Sequence, residues 1–236
     1  MNISMNPNNE LEQSVVNVPN LVQVPEGFIS QAREFQEAMM MYTCAIREVK
    51  TKLEVLNDEL SVRNQRNPIE MIKSRVKKPL SIVEKLHRRN LPVSLDSMVN
   101  NLDDVAGIRV ICSFVDDIYA VANMLVSQDD ITVIAIKDYI KNPKPNGYRS
   151  YHLILEVPVF FSDQKKSMRV EVQIRTIAMD FWASLDHQLK YKKDIGEAAD
   201  AISEELRQCA EVIADTDQKM LSIRKSIEAQ GGTVKK

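Results

Sequence analysis

Two carboxylates occupy positions in this sequence that could carry chemistry. Asp104 comes just before a strand-like apolar run, and Glu171 lies in a segment where apolar and polar residues alternate strictly. This alternation places Glu171 on the face opposite to the apolar side chains. A strand with one solvated face shows the same pattern, so the alternation alone leaves both interpretations open.

The loop before Glu171 brings basic and aromatic residues together. Asn146-Gly147 is typical of a tight turn. The residues around it include Lys144, Tyr148, Arg149, Tyr151 and His152. A carboxylate that faces cations and aromatic rings is typical of a site for a phosphorylated ligand. A single histidine is more often structural than catalytic, as we expect for His187, but the position of His152 beside this loop favours a functional role.

A second basic segment runs from Arg75 to Arg89, where the one acid is Glu84. Such a run is usually the solvated face of a helix. Here, however, Ser81 and Lys85 lie four residues apart and share a face near the start of a predicted helix, where anions are favoured. We therefore expect this segment to bind an anion.

Carboxylates among cations indicate a Mg²⁺ site combined with activation of a hydroxyl group. Mg²⁺ prefers hard oxygen ligands, often one or two carboxylates together with substrate phosphates. A phosphoryl group in transfer also needs cations that offset its developing charge. The candidate cations are Arg75, Lys77, Lys85 and Arg109. Planar guanidinium groups and the ring of Tyr148 could in addition stack on nucleobases.

Composition and missing motifs exclude several classes of protein. The 236 residues carry a net charge of −2, so affinity for phosphates must come from local clusters. The three cysteines are far apart, which argues against a zinc site or a disulfide framework. No signal peptide or membrane span is recognisable, and we expect a cytoplasmic protein. The patterns GxxxxGK[ST], GxGxxG, HExxH and GxSxG are absent from the sequence.

The elements that must position these residues predict an α+β fold, with a mixed β-sheet of about five strands flanked by helices. Predicted strands lie near 108–112 and 131–136 and on both sides of Ser162–Lys166, and predicted helices at 80–89, 94–102, 117–127 and 177–191. Asn67-Pro68 is expected to begin a further helix, because Pro is favoured at the first helical position. In the helix at 177–191, an apolar stripe is expected in the core and consists of Phe181, Trp182, Leu185 and Leu189.

Long amphipathic helices are predicted at both ends of this core. From Phe28 to Leu60, and again from Ile202 to Ile227, apolar residues recur with alternating spacings of four and three. Such a stripe could pack on the protein's own core, form a subunit contact, or do both.

Four ordered motifs resemble the synthetase domain of RelA/SpoT-type alarmone synthetases. They are SRVKKPLSIVEKL (74–86), DVAGIRV (104–110), NGYRSYH (146–152) and VEVQIRTIAMDFWASLDH (170–187). The resemblance covers about residues 65–195, and the chain is similar to a stand-alone small alarmone synthetase of the RelQ type. It implies a nucleotidyltransferase-like fold and transfer of pyrophosphate from ATP to the ribose 3′-hydroxyl of GDP or GTP, with release of AMP.

The resemblance implies roles for the residues on the ATP side. Arg75 and Arg109 resemble the pair that sandwiches adenine, and Asp104 resembles a Mg²⁺ ligand. The residues that resemble contacts to the ATP phosphates are Lys77, Ser81 and Lys85. One extra lysine in Arg75–Pro79 leaves open whether Lys77 or Lys78 makes the first contact.

On the acceptor side, Glu171 is similar to the carboxylate that binds the metal and orients or deprotonates the 3′-hydroxyl. Tyr148 resembles the ring stacked on guanine. The residues implied around the acceptor nucleotide are Lys144, His152 and Gln173. Asp180 also lies beside this site and stands where the family pattern has Asn.

The implied organisation is a flexible N-terminal tail at residues 1–24, a long helix at 25–66, the synthetase domain at 67–195, and a C-terminal helix and tail at 196–236. The resemblance implies a homotetramer, with (p)ppGpp as a candidate allosteric ligand. Single-stranded RNA is a further candidate partner, and the sequence leaves open whether it binds. Two alternatives stay open: a module that binds guanine nucleotides or RNA without catalysis, and a scaffold whose long helices serve oligomerisation. The retained Asp104 and Glu171 argue against the first, since acids without a metal would repel phosphates.

Overall fold

The computed structural model describes residues 26–64, 66–190 and 199–231. The predicted tail at residues 1–24 and the break at Gly196 lie outside the described residues. None of the described helices has the length and hydropathy that a membrane crossing requires.

A five-stranded mixed sheet forms the centre of the chain, which confirms the predicted fold class. The strands are β1 (Ile69–Val76), β2 (Ala106–Cys112), β3 (Thr132–Asp138), β4 (Tyr151–Phe160) and β5 (Lys165–Thr176). They lie in the order β1-β2-β5-β4-β3, where β2 and β5 are parallel and the other neighbours are antiparallel. The two strands around Ser162–Lys166 therefore pair as a hairpin, as one of the predicted arrangements required.

The described helices are α1 (Glu26–Asn64), α2 (Pro79–Arg88), α3 (Leu95–Asn101), α4 (Val115–Val126), α5 (Ile177–Lys190) and α6 (Ala199–Ala229). The apolar stripe of α1 packs on the sheet, and its Tyr42, Val49 and Leu53 are buried. The long N-terminal helix thus packs on the protein's own core, as one of the predicted roles of its apolar stripe required. Helix α6 packs on α5 and α4.

The predicted helix at Asn67-Pro68 is wrong, because the residues that follow form the edge strand β1. This strand pairs antiparallel with β2, and a register shift near its start interrupts the period of two. The apolar residues therefore do not alternate as they would in a regular strand. Pro68 has no N–H to donate, but at this point only its carbonyl takes part in pairing. That carbonyl accepts a hydrogen bond from the N–H of Ser113 at 3.1 Å.

The prediction that Phe181, Leu185 and Leu189 lie in the core is also wrong. Trp182 is buried and donates its indole N–H to the carbonyl of Leu206 at 2.9 Å, but the other three side chains are exposed. Phe181 directly precedes Trp182 and lies about 100° around the helix from it, so it can be exposed while Trp182 is buried. Together with Ile177, the three exposed side chains form an apolar row, the α5 stripe (Ile177, Phe181, Leu185 and Leu189).

The register of the central strands places the candidate residues on one face of the sheet. Arg109, Gln173 and His152 are partners across β2, β5 and β4. Glu171 precedes Gln173 by two residues and so lies on the same face. Helix α1 covers the buried apolar face opposite, which leaves this polar face available for ligands.

Candidate active site

Two adjacent cavities open on the polar face of the sheet. Their shared wall consists of Arg75, Arg109 and Gln173. The smaller cavity, of about 220 Å³, also contacts Asp104 and Glu171. The larger, of about 660 Å³, reaches Tyr148 and the second half of α5. The structure thus gathers both predicted carboxylates at one cavity, with the predicted adenine pair between the two spaces.

Asp104 is held by two lysines from the basic segment. Lys85 and Lys77 lie 2.7 and 2.9 Å from its Oδ2 atom. Pro79 at the start of α2 permits the turn that brings both lysines to the same carboxylate, since its ring is compatible with the first helical turn. Lys77 is largely buried beside Asp104, whereas Lys78 is exposed.

The second oxygen of Asp104 is available for a further ligand. Burial opposes the charge of this residue, but the hydrogen bonds from Lys85 and Lys77 outweigh burial and hold the pKa of the carboxyl below its ordinary value. Its Oδ1 atom is buried and has no hydrogen-bond partner among the described residues. A buried, ionised oxygen without a partner is suited to a hard cation.

Arg75 and Ser81 occupy different positions relative to the cavities. Arg75 is exposed near the end of β1 and lines both of them. Ser81 is half-buried on α2, one turn before Lys85, and is not among the residues that line either cavity. The structure therefore brings Arg75 into the site but leaves Ser81 at its margin.

Glu171 accepts a hydrogen bond on each carboxylate oxygen. His152 Nδ1 lies 3.2 Å from Oε1, and Gln173 Nε2 donates to Oε2 at 2.9 Å. Burial opposes the charge on Glu171, but the donors His152 and Gln173 outweigh it and lower the pKa of this carboxyl. Glu171 is thus an oriented, ionised group at the wall of the smaller cavity.

His152 is buried between this carboxylate and the loop that carries Tyr148. Its Nε2 atom lies 2.9 Å from the hydroxyl of Tyr148. Burial, together with the nearby cations Arg175 and Lys144, lowers the pKa of His152 despite the opposing effect of Glu171. The ring is therefore neutral near pH 7, with one nitrogen as donor and the other as acceptor.

An aromatic cluster around Tyr148 includes a residue that sequence reasoning missed. The ring of Tyr139 lies 6.0 Å from Tyr148 and 5.2 Å from His152, centroid to centroid. Lys144 places its ammonium 4.7 Å from the ring of Tyr139 and 4.8 Å from that of Tyr148. Tyr139 directly follows β3 and precedes the Asn146-Gly147 turn by a few residues. An aromatic residue at a strand end so close to this turn was the signal that could have identified it.

Helix α6 supports the loop that carries Tyr148. Gly147 has a positive φ of 85°, and a Cβ atom at this position would lie 2.6 Å from the Cβ of Ala210. Arg149 donates to the carbonyl of Ala210 at 3.2 Å. The end of β5 is bound to the same helix, where Thr176 Oγ1 donates to Asp217 at 2.5 Å. The acceptor side is therefore built against a helix far along the chain.

Asp180 and Arg175 connect the two sides of the site. Asp180 lies 3.1 Å from Arg109, 3.2 Å from Arg175 and 3.7 Å from Lys73. Arg175 was assigned no role from the sequence, where it was visible only as the outward residue after Gln173. A cation on the face of Glu171 and Gln173 was the signal that could have identified it.

Comparisons with known proteins identify the family of this chain. The profile described as the region found in RelA / SpoT proteins matches residues 74–196, more than half of the chain. GTP pyrophosphokinase YwaC of Bacillus subtilis is 42% identical over 195 residues, which cover 83% of this chain and 92% of that protein.

Two solved structures of small alarmone synthetase 1 from Bacillus subtilis are also similar. The one bound to its product pppGpp has a TM-score of 0.75 and 35% identity, with 83% of this chain and 99% of that chain covered. The one bound to AMPCPP has a TM-score of 0.69 and 33% identity, with 84% and 99% covered. The chain therefore belongs to the RelA/SpoT family, in its group of small alarmone synthetases.

Proposed function

We propose that this protein is a GTP pyrophosphokinase, which transfers pyrophosphate from ATP to the ribose 3′-hydroxyl of GDP or GTP. The products are AMP and ppGpp or pppGpp. The observation that carries the proposal is the juxtaposition of Asp104 and Glu171, both with lowered pKa, at one cavity that Lys73, Arg75 and Arg109 also line. Relatives with this activity in their names are similar over most of the chain.

On the donor side, the proposed roles follow from charge and exposure. Arg75 is exposed and Arg109 is one-third exposed at the wall between the cavities, so both guanidinium planes are available to adenine. Lys77 and Lys85 can extend from Asp104 to the phosphates and offset the charge that develops there. The relative bound to AMPCPP, an ATP analogue, supports a nucleotide on this fold.

On the acceptor side, Tyr148 stacks on guanine, and Glu171 faces the 3′-hydroxyl. The 3′-oxygen bonds to the β-phosphorus of ATP, and the bond between that phosphorus and the α,β-bridging oxygen breaks. AMP leaves, while the hydroxyl proton passes to Glu171. A loose transition state requires positioning more than a strong base, so a carboxylate with a low pKa is adequate.

The donor set fits Mg²⁺, with Asp104 and Glu171 as the protein ligands. The unpartnered Oδ1 of Asp104 is the kind of hard oxygen that this ion prefers. Within the described ranges, no group of three or more His, Cys, Asp or Glu residues could hold a metal by itself. Substrate phosphates would therefore complete the coordination, and the ion would neutralise charge on the transferring group.

A product assay tests the proposed function. Purified protein is incubated with ATP, Mg²⁺ and either GDP or GTP, with and without added pppGpp, and the nucleotides are separated. We expect AMP and a 3′-pyrophosphorylated guanosine nucleotide in equal amounts. Guanine-nucleotide binding that is independent of Mg²⁺, without either product, would instead identify a non-catalytic module.

We also propose a homo-oligomer, with a tetramer as the expected form. The α5 stripe supports it, because four large apolar side chains at a spacing of four residues form an exposed row. Light scattering in solution measures the mass. Phe181→Asp should reduce the mass of the assembly if this row is an interface, and an unchanged monomer mass in both proteins would reject the proposal.

A further inference from the structure

Arg175 is a buried cation whose donors reach most of the acceptor side. Its side chain is only 4% exposed. Its guanidinium donates to Tyr148 Oη at 2.5 Å, Gln173 Oε1 at 3.0 Å, Ser150 Oγ at 3.2 Å and Asp180 Oδ1 at 3.2 Å. A buried charge is costly unless it is paired and hydrogen-bonded, and here both conditions are met.

Two hydrogen-bond chains lead from this guanidinium to the two oxygens of Glu171. The first runs from Arg175 Nη2 to Tyr148 Oη, on to His152 Nε2 at 2.9 Å, and from His152 Nδ1 to Glu171 Oε1 at 3.2 Å. The second runs from the same Nη2 to Gln173 Oε1, and from Gln173 Nε2 to Glu171 Oε2 at 2.9 Å. One nitrogen of Arg175 thus begins both paths.

The two charged ends determine the directions in these chains, because a guanidinium only donates and an ionised carboxylate only accepts. Glu171 therefore accepts from His152 Nδ1, which leaves His152 Nε2 as the acceptor for the hydroxyl proton of Tyr148. The Tyr148 oxygen in turn accepts from Arg175. Likewise Gln173 presents its carbonyl to Arg175 and its amide N–H to Glu171.

We propose that Arg175 is a positioning residue that orients both oxygens of Glu171 through these two chains. The proposal rests on the role proposed for Glu171 above. A merely structural Arg175 would contribute to folding stability alone, and its loss would leave the hydrogen bond between Tyr148 and His152 unchanged.

Histidine ¹⁵N NMR tests the proposal without any need for turnover. The chain has three histidines, so the His152 signals can be assigned with a His152→Gln variant. In the wild type we expect a proton on Nδ1 and an unprotonated Nε2 that accepts from Tyr148. In Arg175→Met the Tyr148 oxygen loses its donor, so we expect this hydrogen bond to weaken and the Nε2 signal to shift. A wild-type proton on Nε2, or an unchanged signal in Arg175→Met, would overturn the proposal.

Kinetics and a matched control separate positioning from stability. Arg224 is similarly buried and pairs with Asp116, so Arg224→Met should lower the melting temperature without a change in the His152 signals. Tyr148→Phe keeps the ring but breaks the first hydrogen-bond chain. This variant replaces Arg175→Met in the test if Arg175→Met does not fold. Both Arg175→Met and Tyr148→Phe should lower kcat on the order of tenfold, with the KM for ATP little changed.

The two proposals fail in different ways. If the wild type makes neither ppGpp nor pppGpp, the proposed function is rejected, while the NMR result still decides the hydrogen-bond chains. If the wild type is active but Arg175→Met retains its kcat, only the role of Arg175 is rejected.

Discussion

The guanidinium of Arg109 lies 3.1 Å from the carboxylate of Asp180, so a residue of the predicted adenine pair is bound to the helix beside the acceptor side. The same carboxylate oxygen accepts from Arg175 at 3.2 Å. One acid therefore neutralises cations on both sides of the site.

Asp180→Asn should preserve the shape of this contact but remove the charge. We expect the free energy of unfolding to fall by about 1.5–3 kcal/mol, because buried Arg175 loses its anionic partner. Urea unfolding at pH 7 measures the change. Asp130→Asn is the matched control, since its pair with Lys52 is more exposed and should contribute less than about 1 kcal/mol. Equal effects of the two substitutions would contradict the prediction.

Glu171→Gln should abolish most of the turnover and leave the fold intact. The amide cannot accept the hydroxyl proton, so we expect kcat to fall by about 10²-fold or more. The rate of AMP release measures it, with circular dichroism as the check on folding. Glu59→Gln, which alters an exposed ion pair with Arg63 on α1, should retain the wild-type rate. A Glu171→Gln enzyme with a near-normal rate would remove Glu171 from the reaction.

The kcat should not fall between pH 7.5 and pH 6.5, which is the ordinary pKa of a histidine such as His152. Neutral His152 and ionised Glu171 are both needed, and both pKa values are lowered. Activity is therefore complete above the ordinary values and is lost as the pH falls through the lowered ones. The kcat measured in buffers of constant ionic strength tests this, and an acid limb with its midpoint above 6.5 would contradict it.

Gly147→Ala should weaken binding of the acceptor nucleotide. The substitution adds both a strained positive φ, which costs about 1–2 kcal/mol, and a contact 2.6 Å from Ala210. We expect a higher KM for GDP, since this turn carries Tyr148. Gly231→Ala is the control for backbone strain alone, because its φ is 77° and no atom lies within 4 Å of the added carbon.

The double variant Gly147→Ala with Ala210→Gly should recover part of the lost affinity. It removes the contact with the Cβ of Ala210, but the strain of the turn and the approach to the Arg207 Cα at 3.2 Å remain. If the single and double variants have the same KM, the support of this loop by α6 is not important for binding.

Strands with a regular period were predictable from the sequence. The strict alternation of β5 placed Glu171, Gln173 and Arg175 on one face, and the structure has them there. Strand β1 was not recognised, because its register shift removes the alternation and its pairing with β2 outweighs the helical signal of Pro68. Local pattern cannot reveal a strand whose identity depends on its partner.

Contacts between distant segments were beyond prediction from residue types. Asp104 and Lys85 lie in separate motifs of the sequence. The sequence does not show that Lys77 and Lys85 contact the same oxygen of Asp104. The role of Arg175 likewise depends on how β4, β5 and α5 meet. The exposure of Phe181 could not be inferred either, because an apolar side chain on a helix is compatible with a core and with a subunit contact.

The attachment of the acceptor loop to α6 has a consequence for biosynthesis. Contacts of α6 with Gly147, Thr176 and Asp116 link residues 41 to 108 positions apart. A ribosome must therefore release residues as far as Arg224 before these supports can form. The contacts of Lys77 and Lys85 with Asp104 need none of these later residues, so a nascent chain can bring these three side chains together before the loop at Gly147 gains its support.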